Sequence, residues 1–520
     1  MTRPTHPWRS APSLGAAPVA LALAAGLVAC SHGPGPAPQP NDPLAFDPAR
    51  YQTQQVTVSG QTIAVRAWEN VVYVRQPVDA RYQAMNIYVP EAYFQKGGSV
   101  GGYTAATAPI FLPNQVGGYM PALPGTAQPP TQGPGAGKTS TIAQALARGY
   151  VVASPGARGR TLQGSDGRYT GKAPAAIVDL KAAVRWLHHN DTRMPGDARK
   201  IISNGTSAGG ALSALLGASG NHPDYAAALR ALGAAEGRDD IFAVSAYCPI
   251  TNLEHADAAY EWQFQGVNAY TKIDIRMLDY HVERKEIPGT LNAAQQATSA
   301  ALAPQFVSYI NALGLRSPQG QALTLNAQGD GPFKEYVQSW VIASAQQQLD
   351  AGQRLADFPW LRIQGGKVQG MDFAAYARAI GRAKTPPAFD ALDLGSGENQ
   401  LFGSALLDKR HFTAYATRHS TADKPAEAPT ADATTVRMMN AMAYLGDGQA
   451  TAARHWRVRH GTHDRDTSLA IPVLLATAAQ AQGLSVDFAL PWNRPHSGDY
   501  DLDELFAWMA QVAATPVAPR

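Results

Sequence analysis

A serine placed between a strand and a helix by small residues is the feature that most limits what this chain can fold into. In "KIISNGTSAGGALSALLGASG", residues 200–204 form a short apolar run, and a helical stretch follows from Ala208 to Gly217 or Gly220. Between them Gly205, Thr206, Ser207, Ala208 and Gly209 fit G-x-S-x-G. That turn is so tight that small residues must flank the serine, and it lifts the hydroxyl above the edge of a parallel sheet. Ser207 is therefore a candidate nucleophile. The competing reading is a glycine-rich turn in which Ser207 only caps the helix.

The neighbouring segments favour the first reading. "MNIYVP" (85–90), "APIFLPN" (108–114), "YVVASPG" (150–156) and "IFAVSAYCPI" (241–250) are short apolar runs that mostly close in turn residues. "PAAIVDLKAAVRWLHHN" places Ile177, Leu180, Val184 and Leu187 at helical spacing. Strands alternating with helices predict an α/β fold with a mostly parallel sheet. With the serine turn added, this is the α/β-hydrolase core. After Ile250 the alternation stops for roughly 190 residues rich in Ala and Gln. It resumes at "HWRVRHG" (455–461) and "VDFALPW" (486–492), and "LDELFAWMAQVA" closes as a helix. The chain thus divides into an export signal at 1–30, a proline-rich tether at 31–45, and a first core part at 46–252. A large, mainly helical lid follows at 253–445, then a second core part at 446–520.

Composition excludes some classes. Of 520 residues, 45% are apolar and 16% charged, which suits a globular chain rather than a disordered one. A net charge of +3 gives no basic stripe, so no nucleic-acid partner is expected. The two cysteines, Cys30 and Cys248, leave the mature fold without an internal disulfide. Arg3, His6 and Arg9 precede an apolar run from residue 15 to 29, shorter than the roughly 20 residues a spanning helix needs. The run ends in Leu27-Val28-Ala29-Cys30, which resembles a bacterial lipobox with Cys30 as the lipidated residue. "SHGPGPAPQPNDP" would then tether an exported domain to a membrane. A plain secretory signal with an incidental cysteine is the alternative.

A serine elbow requires an acid and a histidine later in the chain, in that order. Beyond "HWRVRHGTHDRD" only His496 remains, in "RPHSGDYD", and it is the candidate base. Asp464 and Asp466 both follow the "WRVRHG" strand, and their spacing does not choose between them. The acid would orient His496, which takes the serine proton. His460, His463, Asp464 and Asp466 could instead ligate a metal, although the elbow would then go unexplained. The oxyanion hole needs the amide of Ala208 and one from "NQVGGYM", where Gly117 and Gly118 free the backbone. "GPGAGKTS" (133–140) fails as a phosphate loop, because position 132 is Gln where the pattern needs Gly. "NLEHAD" (252–257) reads as a polar anchor on a loop rather than a metal site. Neither metal nor cofactor is expected.

Longer segments carry a family likeness. "RKIISNGTSAGGALSALLGASGN", "DDIFAVSAYCPITNLEHADAAYEWQF", "PAFDALDLGSGENQLFG", "RHGTHDRDTSLAIP" and "FALPWNRPHSGDYDLDELF" together resemble bacterial tannases (tannin acyl hydrolases), close to the lactobacillar type. The likeness spans about Tyr82 to Trp508. It implies an α/β-hydrolase with a large lid that cleaves galloyl esters of tannins without a metal. It makes Ser207, Asp464 and His496 the triad, and Gly118 and Ala208 the oxyanion donors. It also assigns Lys384 in "AKTPPAF", Glu398 in "SGENQ" and Asp466 to the three hydroxyls of the galloyl ring. Phenolic hydroxyls donate to carboxylates, and an ammonium favours phenolate-like oxygen. Three other readings compete: an esterase for feruloyl or other hydroxyaromatic esters, a serine peptidase on the same core, and a non-catalytic polyphenol-binding lipoprotein. The lipobox and tether depart from the family pattern and bear on setting, not chemistry.

Overall fold

The apolar runs become the middle of one nine-stranded sheet. The computed structural model describes residues 42–128, 140–278, 281–423 and 430–517, with backbone alone at 274–278 and 281–284. Cys30, most of the expected tether and nearly all of "GPGAGKTS" lie outside the described residues. The strands are β1 Gln52–Val58, β2 Gln61–Val72, β3 Ala84–Pro90, β4 Pro109–Pro113, β5 Val151–Pro155, β6 Asp197–Thr206 and β7 Ala243–Tyr247. Then come β8 Ala269–Leu278, β9 His281–Thr290, β10 Leu361–Gln364, β11 Lys367–Met371, β12 His455–Arg459 and β13 Ser485–Ala489. The helices of the core are α1 Thr141–Ala147, α2 Ala175–His189, α3 Ala208–Ala218 and α4 Ala226–Ala231. Between β7 and β12 lie α5 Leu253–Phe264, α6 Ala293–Leu313, α7 Pro332–Asp350, α8 Phe373–Ile380, α9 Gly397–Leu401, α10 Ala414–Arg418 and α11 Ala433–Arg437. α12 Ala470–Ala481 and α13 Leu502–Ala513 complete the chain.

The sheet order is β1-β2-β3-β5-β4-β6-β7-β12-β13. The six strands from β5 to β13 run parallel, and β1 to β3 add an antiparallel edge. β3, β4, β5, β7 and β12 are buried along their whole length. Helices cover both faces of such strands, so their sequences read as continuous apolar runs. β1 and β2 carry no comparable run. In "QTQQVTV" Val56 and Val58 are buried while Thr57 faces out, and this half-wet edge was not read from the sequence.

β7 and β12 are hydrogen-bonded neighbours, so residues 253–445 form an insertion between adjacent strands. It contains helices, as expected, and also two hairpins, β8–β9 and β10–β11, which the sequence did not reveal. The β8–β9 hairpin pairs charged strands, and Ile273 and Ile287 are exposed, so no apolar run marks it. One correction concerns "NLEHAD", expected on a loop: Asn252 takes a left-handed conformation (φ 58°) and Leu253 starts α5, so Glu254, His255 and Asp257 are helical. The anchoring role holds, since Asn440 donates to Glu254 at 2.7 Å and Asn252 donates to the Tyr309 hydroxyl at 2.9 Å. Trp262 of α5 packs on Phe306, Phe333 and Phe373, which draws α6, α7 and α8 onto one apolar centre. Residues 43–520 form one compact unit. No described helix is long and apolar enough to cross a membrane.

Candidate active site

Ser207 sits at φ 60°, ψ −122° between β6 and α3, a backbone state that costs about 1–3 kcal/mol for a residue with a side chain. A Cβ on Gly205 would lie 2.3 Å from the Gly209 carbonyl oxygen, and one on Gly209 would lie 2.6 Å from Asn114 Oδ1. Both glycines are therefore required by close approach. The Ser207 amide donates to the Tyr247 carbonyl at 2.9 Å. Its side chain makes no capping bond to α3, so the capping reading has no structural basis. Asn114, which the sequence reading missed, braces the turn. Its Nδ2 donates to the carbonyls of Asn204 (3.1 Å) and Gly209 (3.0 Å) and to Ser213 Oγ (3.1 Å).

The candidate acid and base follow β12 and β13. Asp464 is fully buried, and its Oδ2 lies 2.8 Å from His496 Nδ1. Asp466 Oδ2 stands 3.6 Å from the same nitrogen, on a side chain one-third exposed. The Asp466 amide donates to Asp464 Oδ1 at 2.9 Å, so the outer aspartate helps to fix the inner one. Burial alone would push His496 down. The charge and hydrogen bond of Asp464 overcome it and hold the imidazole well above the usual histidine range. Asp464 is buried, which opposes ionisation, yet the imidazoles of His460 and His496 hold it well below the usual carboxylate range. Burial pushes His460 down, in the direction opposite to His496. His463 does not join the cluster; its amide bonds the Arg494 carbonyl at 3.0 Å.

Four contacts seat the loop after His496 against β6, α1 and the end of β7. Cys248 Sγ donates to the Ser497 carbonyl at 3.1 Å. Asn204 Nδ2 and Thr141 Oγ1 donate to the two oxygens of Asp499, at 3.0 and 2.7 Å. A Cβ on Gly498 would fall 1.8 Å from Thr206 Oγ1, so the loop touches the residue before the nucleophile. A cavity of about 1420 Å³, lined among others by Asn114, Gly117, Ser207, Ser497 and Asp499, opens here. Ser207 Oγ has no hydrogen-bond partner among the described residues. Bonds of this type often form only with substrate present. Gly118 has φ 54°, and its carbonyl accepts from Arg160 Nε at 2.8 Å. The amides of Gly118 and Ala208 have no acceptor among the described residues, as an oxyanion hole requires.

The three residues assigned to the ring are not among those lining that cavity; Lys384 and Glu398 belong to the insertion, and Asp466 lies between β12 and α12. The Tyr260 hydroxyl accepts from the Lys384 amide at 3.2 Å and donates to the Arg465 carbonyl at 2.9 Å, one residue before Asp466. Lys384 Nζ lies 4.0 Å from the Phe389 ring centre. Glu398 occupies the first turn of α9, whose Gln400 bonds the same Arg160 that holds Gly118. Burial, and after it the Glu398 charge, raise the neighbouring Tyr119 hydroxyl. Lys384 is thereby linked to the Asp466 side of the site, and Glu398 to the Gly118 side.

Known proteins share these features. The family described as BD-FAE matches residues 131–296. A tannase from Lactobacillus plantarum is 47% identical, covers 90% of this chain and 99% of its own, and superposes with a TM-score of 0.86. A Fusobacterium nucleatum tannase gives 47% identity, the same coverages and a TM-score of 0.85. A tannin acyl hydrolase solved in complex with ethyl gallate gives 47%, 90%, 99% and 0.84. Esterase LipC of Mycobacterium tuberculosis is 45% identical over 56 residues, 11% of this chain and 14% of that protein. The sheet and its serine turn, taken with these relatives, define an α/β-hydrolase that acts as a carboxylic ester hydrolase. Within that class the chain belongs to the bacterial tannase family.

Proposed function

We propose that the chain is a serine esterase that hydrolyses galloyl esters of tannins and simple gallate esters through an acyl-enzyme. The observation that carries the reading is buried Asp464 bonded to His496 at 2.8 Å, on loops packed against the strained Ser207 turn. His496 takes the Ser207 proton while Oγ attacks the ester carbonyl. The amides of Gly118 and Ala208 donate to the developing oxyanion, and His496 then protonates the departing alcohol. Water attacks the acyl-enzyme by the same route and releases gallic acid. Glu398 and Asp466 accept from ring hydroxyls, and Lys384 meets the third. Residues 253–445 act as the lid that brings Lys384 and Glu398 to the ring. Support for this substrate comes from the similar tannin acyl hydrolase solved with ethyl gallate.

The test is turnover of methyl gallate beside methyl ferulate and a peptide anilide. The reading expects kcat/KM highest for the gallate ester and no anilide cleavage. A faster ferulate ester would make the chain a hydroxycinnamate esterase instead. Lipidation at Cys30 belongs to the same proposal: Cys30→Ser should move the protein from the membrane fraction to the soluble exported one. Intact-mass analysis of membrane-extracted protein without an acyl addition would defeat that part.

A further inference from the structure

Beneath the proposed triad lies a second constellation whose thiol and imidazole the reaction does not use. β7 and β12 pair in parallel with Tyr247 opposite Arg459, so the next residues, Cys248 and His460, emerge side by side at the sheet's end. Asp464 folds back over them. The sulfur, a ring nitrogen and a carboxylate oxygen all lie within 4.8 Å of one another, and all three residues are fully buried. His460 Nδ1 is 3.6 Å from Asp464 Oδ2. Among the described residues, neither nitrogen of His460 has a hydrogen-bond partner. A buried imidazole left unpaired on both sides is costly and demands a reason. Thiolate, imidazole and carboxylate together are the donor set of zinc and its softer relatives.

We propose that Cys248, His460 and Asp464 form an inhibitory site for a soft divalent cation, with Zn²⁺ and Cd²⁺ as its probes. On binding, the Cys248 thiol gives up its proton to solvent and the thiolate ligates the ion, so its bond to the Ser497 carbonyl is lost. Asp464 turns its carboxylate to the cation and releases His496 Nδ1. The base then loses both its orientation and the charge that stabilises its protonated form. A neighbouring set, Asp464, Asp466 and His496, also has donors within reach, but His496 Nδ1 is already committed to Asp464. The effect on turnover rests on the proposed triad; binding itself does not.

The experiment uses the full chain with Cys30→Ser, which leaves Cys248 as the sole thiol. After EDTA treatment, CdCl₂ should raise one equivalent of cadmium–thiolate charge-transfer absorbance while methyl gallate hydrolysis is lost, and EDTA should restore it. In the same background Cys248→Ala should abolish the band, with Cys248→Ser as the conservative substitute if folding fails. His460→Gln should weaken cadmium binding about tenfold or more. Each variant, scored against its own metal-free rate, should resist inhibition. No band at excess cadmium overturns the proposal, as does a band unchanged in His460→Gln. Inhibition equal in all variants would place the metal at the outer carboxylates and overturn it too. Metal-free protein without gallate turnover would defeat the functional reading alone, because the band still decides the site.

Discussion

The two halves of the candidate site are held by different means. At the sheet's end, position follows from strand adjacency: β6, β7 and β12 are paired neighbours, so Ser207, Cys248 and His460 emerge together. In the insertion, position depends on buried charge. Glu261 and Arg382, both fully buried and 121 residues apart, form an ion pair beside Lys384. Asp257 accepts from the amides of Phe389 (2.6 Å) and Asp390 (3.1 Å), and burial with the Asp390 charge pushes it up to about 8. Asp390 in turn accepts from Asn399, His411, Phe412 and Thr413. A backbone-built half should tolerate side-chain loss in structure while losing chemistry. A charge-built half should lose structure when one partner goes.

The first way to test that contrast is to remove the nucleophile. Ser207→Ala should lower kcat by about 10⁶-fold, with an unchanged circular dichroism spectrum and unfolding midpoint. A variant keeping a few per cent of turnover would strip Ser207 of its role and leave the core's geometry without a chemical purpose.

Asp464→Asn is the next largest expected effect, about 10⁴-fold in kcat for every ester. It also carries a pH signature. If His496 is the base, turnover needs it neutral, and kcat/KM should rise with pH as the imidazole loses its proton. Asp464 holds that pKa above the usual histidine range, so the wild-type acid limb lies above it as well. Without the charge, the limb should move to lower pH even as the rate falls. An acid limb that stayed in place would mean that another group sets it, and Asp466 at 3.6 Å would be the first to try.

Arg382→Met attacks the other half. It leaves Glu261 buried with only the Ser299 hydroxyl, at 2.5 Å, and frees the Lys384 carbonyl held by Arg382 Nε at 2.9 Å. Breaking a buried pair from one side costs about 3–5 kcal/mol, read from the urea midpoint. Adding Glu261→Gln should recover part of it. Unchanged stability in Arg382→Met would show the insertion to be held by its aromatic centre instead.

What the sequence made legible follows the same division. The elbow, the strands around it and the late histidine were readable because each depends on a few consecutive residues. The preference for Asp464 over Asp466 came from the family resemblance, since two aspartates at i, i+2 look alike until one is buried. Asn114 and Asp499 went unnoticed: they work through bonds to residues 95 and 358 positions away, which no local pattern records. Arg160 likewise shows itself only once α9 folds onto the Gly118 turn. Lys384 and Glu398 came from the family resemblance alone, because their half-buried positions depend on the whole insertion folding.

Glu398→Ala gives the smallest expected effect and the sharpest contrast. If Glu398 accepts from a ring hydroxyl, its loss leaves that hydroxyl without a partner, at about 1–3 kcal/mol, or roughly 5- to 150-fold in kcat/KM for methyl gallate. Methyl benzoate, with no ring hydroxyls, should scarcely change. Glu398 sits in a one-turn helix whose capping box runs through Ser396 and Asn399 rather than through its own side chain, so the fold should survive the substitution. Arg160 is the complication, because it senses Glu398 and also holds the Gly118 carbonyl. If the loss reached catalysis through Arg160 and the oxyanion turn, both esters would slow together. Equal slowing would make Glu398 a support for the core half, and the ring's partners would have to be sought nearer Lys384 and Asp466.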